Sequence, residues 1–204
     1  MDITVFTGDI VASSDMDADR LDVCLATLSE GCDRIAEWTG ATGHASFARR
    51  GGDGWQAVFP TGIPTHRAAL FLQARLRQQG DDIATRIAIA TGEGRLSDPT
   101  DPNSGHGTVF TASGRLLTRL KGKRLLGDAA GGVTQAFLRL ADHIAQGWTP
   151  AQARAVAAML PPGAGPRVAA AKKLGVSRQA VDQALHAAGY PALIDALELI
   201  ETKN

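Results

Sequence analysis

The sequence predicts an α+β protein, in which a mostly antiparallel sheet with helices packed on one face is followed by a small all-α unit. Three observations support this prediction. Strand-like and helix-like hydrophobic patterns alternate over residues 1–147. From residue 148 onward only helix-like patterns occur, separated by proline and glycine. The composition, with 44% hydrophobic and 21% charged residues, is that of an ordinary globular protein.

The elements of the first domain, residues 1–147, follow from the spacing of its apolar residues. Alternation predicts strands over 2–11 and 84–90, the latter closed by Thr91-Gly92, and a short strand over 123–127. The turn sequence 50–54 predicts a hairpin of the strands 46–49 and 55–59. Helical spacing predicts helices over 16–38, 64–79, 109–121 and 133–146. Loops are expected around Gly40 and Gly43 and over 97–107.

The second domain, residues 148–204, is predicted to consist of short helices. Thr149 is an N-cap followed by Pro150, which opens a helix ending near Leu160. Helices over 167–174 and 178–188 are joined by the turn 175–177, and a last helix covers 191–201. In the turn, glycine takes the left-handed cap, Val176 is expected to enter the core, and Ser177 caps the next helix. The expected inward residues of that helix are Ala180, Val181, Ala184 and Leu185.

Two short helices joined by a three-residue turn form the pattern of a DNA-binding helix-turn-helix. Arg178 and Gln179 carry the donors and acceptors that read guanine or adenine, and lysines before the turn are placed for phosphates. The predicted DNA-binding residues are Lys172, Lys173, Ser177, Arg178, Gln179, Asp182, Gln183 and His186. The alternative interpretation is a helical hairpin that serves dimerisation. The chain has no net charge, so tight DNA binding would require a homodimer.

Several other classes of protein are disfavoured by the sequence. There is no apolar run of about 20 residues and no basic leader at the N-terminus, so we expect a cytoplasmic protein. Cys24 and Cys32 lie in one predicted helix, roughly 12 Å apart, which is too far for a disulfide. The five histidines have no metal-ligand spacing, which disfavours a zinc site.

Two aspartates of the first domain stand at positions suited to a magnesium ion. Asp9 ends the first predicted strand, and Asp53 lies in the hairpin turn. If these strands are neighbours, both carboxylates converge on one edge of the sheet, where Mg²⁺ prefers a few carboxylates together with phosphate oxygens and water. Gly51 and Gly52 would let backbone amides approach phosphates. Either aspartate could instead serve a tight turn alone.

These segments resemble the class III nucleotide cyclase catalytic domain, a relative of the palm fold shared with GGDEF-type cyclases. The resemblance covers roughly residues 1–125. It implies a cyclase/palm-like sheet, with Mg²⁺ or Mn²⁺ held by Asp9, Asp53 and the carbonyl of Ile10. The segment 110–116 resembles the family's Val-Asn-x-Ala-x-Arg helix, which makes Arg115 the transition-state arginine of an active enzyme. The implied purine-nucleotide-binding residues are Arg49, Gly51, Gly52, Thr111 and Arg115.

The sequence departs from that family at its base-reading positions. The family's asparagine falls on Thr111, its adenine-selecting lysine on Arg49, and the partner aspartate near Ser104. Arginine is not a conservative replacement for lysine at such a site. A cyclase-like domain followed by a helix-turn-helix is similar to SatD-like bacterial proteins.

Two functions from different classes follow from these residues. The first is a DNA-binding transcriptional regulator, whose degenerate cyclase-like domain senses a nucleotide or dimerises. The second is an active metal-dependent nucleotide cyclase with an appended helix-turn-helix. A third possibility is an interaction protein whose helical tail binds another protein. The first hypothesis implies double-stranded DNA and a second copy of the chain as partners.

Overall fold

The computed structural model describes residues 2–39 and 45–202, so the loop predicted around Gly40 and Gly43 lies outside the described residues. The described strands are β1 (Asp2–Ile10), β2 (Ser46–Arg50), β3 (Gly54–Pro60), β4 (Thr85–Glu93), β5 (Arg95–Leu96), β6 (Gly105–His106) and β7 (Leu126–Asp128). The described α-helices are α1 (Ala18–Glu37), α2 (Thr65–Arg77), α3 (Thr108–Leu117), α4 (Gly132–Gln146), α5 (Pro150–Met159), α6 (Arg167–Leu174), α7 (Arg178–Ala187) and α8 (Tyr190–Glu201).

The main sheet has five strands in the order β2-β3-β1-β4-β7. All neighbours are antiparallel except β4 and β7, which are parallel. Strand β1 is central, since Val5 pairs with Val58 of β3 on one side and with Ala90 of β4 on the other. The predicted α+β class and the mostly antiparallel sheet are therefore confirmed.

Helices cover both faces of this sheet, so the expectation that they lie on one face is wrong. Phe6 and Phe59 belong to the larger core, which also contains residues of α1, α2 and α4. Val5 and Val58 point the other way and pack with Val109 of α3. Because both alternating sets in β1 are apolar, the strand is buried on its two faces and needs a helix on each.

Several boundaries differ from the sequence prediction. The helix α3 ends at Leu117 rather than at residue 121, and β7 covers Leu126–Asp128 rather than 123–127. Two further differences concern strand pairing. Strand β4 does not close at Thr91-Gly92 but continues to Glu93, because Asp2 and Ile3 of β1 pair with Glu93 and Gly92. The segment 97–107, predicted to be a loop, contains a short 3₁₀ helix (Pro102–Ser104) and the strand β6, which pairs with β5. Both differences arise from pairing between distant segments, which local periodicity does not report.

The helices after residue 147 begin and end where the capping residues predict. The Thr149 side chain accepts a hydrogen bond from the Gln152 amide, and Gln152 reciprocates, which forms a capping box at the start of α5. After α6, Gly175 adopts φ 68°, and Ser177 accepts from the Ala180 amide to begin α7. The expectation that Val176 enters the core is wrong, since 46% of it is exposed. Ala180 is also exposed, and with Val176 it lines a shallow groove beside Ala151 and Ala155 of α5.

The helices α5–α8 pack directly on the sheet domain. The larger core is continuous, running from Phe6 in β1 to Leu197 in α8. Arg67 of α2 donates hydrogen bonds to the Leu160 carbonyl at 3.0 Å and to both Glu201 carboxylate oxygens at 2.7 and 2.8 Å. Trp148 is buried, and its indole N–H donates to the Ala188 carbonyl at 2.8 Å. The Arg67 contacts hold the α5–α8 unit against α2, and the Trp148 bond ties the segment before α5 to the end of α7.

The two cysteines lie within α1 and are free and buried. Because of this burial, we expect the stability of the protein to depend on pH in the alkaline range. Burial raises the pKa of the Cys32 thiol, with Asp33 adding to the effect. In the unfolded chain a cysteine thiol ionises at about pH 8.5, whereas Cys32 in the folded protein stays protonated at that pH. The unfolded state then binds fewer protons, so the free energy of unfolding is expected to fall by about 1.4 kcal/mol per pH unit above that pH for this thiol. Urea unfolding over an alkaline pH series measures this slope, and an unchanged slope in Cys32→Ala would contradict the account.

None of the helices within 2–39 and 45–202 is long and apolar enough to cross a membrane.

Candidate functional site

The two aspartates singled out in the first domain lie at the same edge of the main sheet. Strands β1 and β3 are neighbours, with Asp9 opposite Gly54. The Ile10 amide donates to the Asp53 carbonyl at 3.2 Å, which ties the hairpin turn to the end of β1. Ile10 itself is buried in the larger core. The structure thus brings Asp9, Ile10 and Asp53 together at one place.

The backbone at Asp9 is fixed by a close approach of three strands. A Cβ atom on Gly8 would lie 2.4 Å from both the Arg86 carbonyl oxygen and Cε2 of Trp55, so only glycine fits there. The buried Trp55 donates its indole N–H to the Thr85 hydroxyl at 2.8 Å. That hydroxyl lies 2.7 Å from the Asp9 carbonyl oxygen and donates to it. The position of Asp9 therefore depends on the packing of Trp55.

Each carboxylate already has a partner in the protein. Arg86 of β4 donates to Asp9 with Nη1 2.9 Å from Oδ1, and both side chains are about three-quarters buried. The Ser13 hydroxyl donates to Asp53. A divalent cation at Asp9 would lie beside the guanidinium, so Arg86 would have to move away first. As placed, these residues do not fit a resident metal ion, and in the described parts of the chain no three His, Cys, Asp or Glu side chains cluster as metal ligands.

Removal of the Arg86 charge is expected to reveal any metal affinity of this edge. Arg86→Met should strengthen Mn²⁺ binding about tenfold or more, because it frees the Asp9 carboxylate from a cation in contact with it. Electron paramagnetic resonance titration of free Mn²⁺ measures this change. The double variant Arg86→Met/Asp9→Asn should lose the gain. Equal Mn²⁺ affinity in the native chain and in Arg86→Met would show that Arg86 does not control the site.

A shallow cavity of about 350 Å³ opens on the face of the sheet that α3 covers. One of its walls is Gln56, whose amide donates to the Thr7 hydroxyl at 3.0 Å. The Thr7 hydroxyl in turn lies 2.8 Å from the Ser113 hydroxyl of α3, so a buried polar network holds Gln56 in place. The cavity is lined by Arg50, Gln56, Asn103, Gly105, Phe110, Thr111 and Gly114.

Of the predicted nucleotide-binding residues, only Thr111 is among the residues that line this cavity. Arg49 lies toward α1, where it donates to the Asp22 carboxylate at 2.9 Å and to the Gly52 carbonyl at 2.6 Å. Gly51 and Gly52 are exposed in the hairpin turn, and Arg115 is exposed on α3. Sequence reasoning missed Arg50, which lines the cavity because successive residues of β2 point to opposite faces.

A second candidate surface is formed by α6 and α7. Val181 and Leu185 of α7 are buried, so the opposite side of that helix faces outward. Six of the predicted DNA-binding residues are exposed at the turn and along these two helices: Lys172, Lys173, Ser177, Arg178, Gln179 and Gln183. His186, one turn further along, is exposed as well. The surface therefore brings together side chains that donate and accept hydrogen bonds.

Asp182 differs from the other residues of this surface. Its carboxylate accepts from Arg167 at 2.8 Å and lies 3.5 Å from Nε of Arg178. It is half-buried and serves as the internal counter-charge for the two arginines. Arg178 remains 68% exposed at its side chain, so its guanidinium can also contact another molecule.

No protein-family model matches this chain, and no curated protein matches it in sequence. Among solved structures, it is similar to the active GGEEF domain of a diguanylate cyclase from Vibrio cholerae, with 14% identity, a TM-score of 0.47, and coverage of 65% of this chain and 85% of the other. It is also similar to a bacterial light-regulated adenylyl cyclase, with 16% identity, a TM-score of 0.45, and coverage of 62% and 74%. At these scores the likeness assigns neither a reaction nor a ligand to this chain.

Proposed function

We propose that this chain is a transcriptional regulator that binds double-stranded DNA through α6 and α7, while its sheet domain dimerises or senses a nucleotide. The observation that carries the proposal is the orientation of α7. Its apolar side packs inward through Val181 and Leu185, and its first turn presents Arg178 and Gln179 to the solvent. A helix that enters a major groove needs this division between a packed side and a polar N-terminal turn.

The connection between the two helices supports the proposal. The Val176 amide donates to the Ala171 carbonyl at 3.1 Å, and the Gly175 amide donates to the Lys172 carbonyl at 3.3 Å. These are the two bonds of a Schellman motif, which ends α6 sharply. The Ser177 cap then starts α7 at once, so only three residues separate the helices. Such a short turn fixes the angle between the helices and leaves the first turn of α7 exposed.

The exposed side chains have the chemistry that DNA requires. An arginine guanidinium makes two hydrogen bonds to a guanine edge, and a glutamine amide does the same with adenine. Lys172 and Lys173 stand at the end of α6, where ammonium groups can contact phosphates on either side of the groove. The exposed Val176 lies in the turn, between the two lysines and the pair formed by Arg178 and Gln179. We assign base contacts to Arg178 and Gln179 and phosphate contacts to the lysines.

We assign the sheet domain a non-catalytic role. The Arg86 guanidinium balances the charge of Asp9, which an active metal-dependent cyclase would need free. The cavity of about 350 Å³ beside α3 has the size of a small-ligand site and contains Thr111 and Arg50. A homodimer formed through this domain would present two copies of α7 to two half-sites about one helical turn of DNA apart.

The alternative function, an active nucleotide cyclase, is favoured by one observation, the convergence of Asp9 and Asp53 at a single edge. Incubation with ATP or GTP and Mn²⁺, followed by mass spectrometry, tests it directly. A cyclic product that disappears in Asp53→Ala would establish the alternative. Nucleotide retained without conversion would support the sensing role.

The experiment that tests DNA binding is a salt series of fluorescence anisotropy with a duplex of random sequence. Phosphate contacts release counterions, so the logarithm of the affinity should fall linearly with the logarithm of salt concentration. Lys172→Ala/Lys173→Ala should lower this slope by about two, since each lysine contributes roughly one contact. The matched control is Lys121→Ala/Lys123→Ala, which removes two exposed lysines from the sheet domain. Binding without salt dependence, or equal slopes in both variants, would contradict the proposal.

A further inference from the structure

A cavity of about 550 Å³ lies between the sheet domain and the α5–α8 unit, far from the carboxylate edge. Its walls come from α1 and α2 on one side and from α5, α6 and the segment between them on the other. Helices α1 and α2 pack on the face of the sheet opposite to α3, so this cavity is separate from the one that contains Thr111. A volume of this size can hold a small organic molecule.

One part of the cavity wall is aromatic and apolar. Trp38, half-buried after α1, meets the buried Phe71 of α2 edge to face, with ring centroids 5.2 Å apart. Opposite them lie Pro161, Pro162 and several alanines, whose small side chains leave the space open. A flat or apolar group can pack there and bury the exposed part of the indole ring.

The rest of the wall is strongly basic. Arg34, Arg75, Arg154 and Lys173 line the cavity, and Glu37 is the one acidic residue among the described lining residues. Within residues 2–39 and 45–202, no carboxylate lies within ion-pairing distance of Arg34, Arg154 or Lys173. Guanidinium groups bind phosphate, sulfonate and carboxylate through paired hydrogen bonds. The excess of cations therefore favours an anionic occupant.

Arg75 shows which part of its guanidinium an anion could reach. Its Nη2 donates to the Glu30 carboxylate at 3.0 Å, and its Nε is covered by protein atoms. Nη1 makes no hydrogen bond with the described residues and is not among the buried unpartnered atoms, so it remains accessible. An anion in the cavity can therefore accept a hydrogen bond from this terminal nitrogen.

We propose that this cavity binds an organic anion that combines an aromatic or apolar part with a phosphate, sulfonate or carboxylate group. The ring part packs against Trp38 and Phe71, and the anionic group contacts Arg75, Arg154 and Lys173. Because Lys173 and Leu174 belong to α6, the ligand touches the sheet domain and the DNA-binding unit at once. This last step rests on the proposed DNA-binding function: a ligand that binds one position of α6 more tightly than another would shift α6 toward that position and so change the affinity for DNA.

The test uses 8-anilinonaphthalene-1-sulfonate, a fluorescent aromatic sulfonate, with the full-length protein and no DNA. Saturable binding to one site is expected, with energy transfer from tryptophan that decreases in Trp38→Phe. Arg154→Glu should weaken binding about tenfold or more, which corresponds to at least one lost charge contact. Lys173→Glu changes an exposed residue and should weaken binding by a similar factor. It replaces Arg154→Glu in the test if that variant does not fold. The matched control Arg119→Glu reverses an exposed arginine outside the cavity and should bind like the native chain.

A neutral analogue, N-phenyl-1-naphthylamine, separates anion binding from apolar binding. It should bind the native protein about tenfold more weakly than the sulfonate. Equal affinities for the two dyes, or sulfonate affinity unchanged in both Arg154→Glu and Lys173→Glu, would overturn the proposal. Because no DNA is present, a negative result here would leave the DNA-binding function standing, and a positive one would not depend on it.

Discussion

Arg178→Ala/Gln179→Ala is expected to weaken binding to a preferred DNA sequence by roughly 30-fold to 10⁴-fold, because each lost pair of base contacts costs about 1–3 kcal/mol. Both residues are exposed in the first turn of α7, and neither packs in the core. Binding to random-sequence DNA should change much less, since that affinity comes from phosphate contacts. The measurement is anisotropy at one fixed salt concentration with the preferred and the random duplex.

The control for this prediction is Arg119→Ala/Lys121→Ala, which truncates two exposed side chains in the sheet domain. It should leave both affinities within about twofold of the native chain. If Arg178→Ala/Gln179→Ala weakened both duplexes equally, Arg178 and Gln179 would be phosphate contacts rather than readers of sequence.

Loss of Arg67 is expected to lower the free energy of unfolding by about 3 kcal/mol. This side chain is 7% exposed, and Arg67→Met would leave the buried Leu160 carbonyl without its donor and Glu201 without its counter-charge. Methionine keeps most of the volume, so the expected loss comes from the missing hydrogen bonds rather than from a cavity. Urea unfolding followed by circular dichroism measures the change.

Arg20 offers a matched comparison for Arg67. It also contacts both oxygens of a carboxylate, that of Asp82 at 2.9 Å, but the two side chains are 41% and 66% exposed. Exposed pairs contribute at most about 1 kcal/mol, so Arg20→Met should cost far less than Arg67→Met. Equal losses in the two variants would contradict the view that Arg67 holds α8 and the end of α5 against α2.

The individual helices and strands could be predicted from the sequence, whereas the way the helices pack on the two faces of the sheet could not. Helical spacing predicted a helix over 16–38, and α1 covers Ala18–Glu37. The apolar pair Val5 and Phe6 in β1 indicates burial on both faces of the strand, but it does not tell which helix covers the second face. The path of α3 depends on contacts with β1 and β4, which are distant in the sequence.

The candidate site was predictable only where short motifs carry its chemistry. Asp9 and Asp53 stood out because each lies beside a turn, and their proximity required only that β1 and β3 pair. The pairing of Asp9 with Arg86 joins residues 77 positions apart and has no local signal. Val176 shows the limit of motif reasoning, because a valine that typically fills the core of such a turn is here exposed. The basic cavity draws its residues from four helices and had no sequence signature at all.

The most direct test of the proposed function is selection of binding sites from a pool of randomised duplex DNA by the purified full-length protein. We expect enrichment of one motif that contains guanine or adenine at the positions read by Arg178 and Gln179, arranged as two half-sites if the chain is a dimer. The same selection with Arg178→Ala/Gln179→Ala should not enrich that motif. No enriched motif with the native protein, or the same motif with both proteins, would contradict DNA reading by α7.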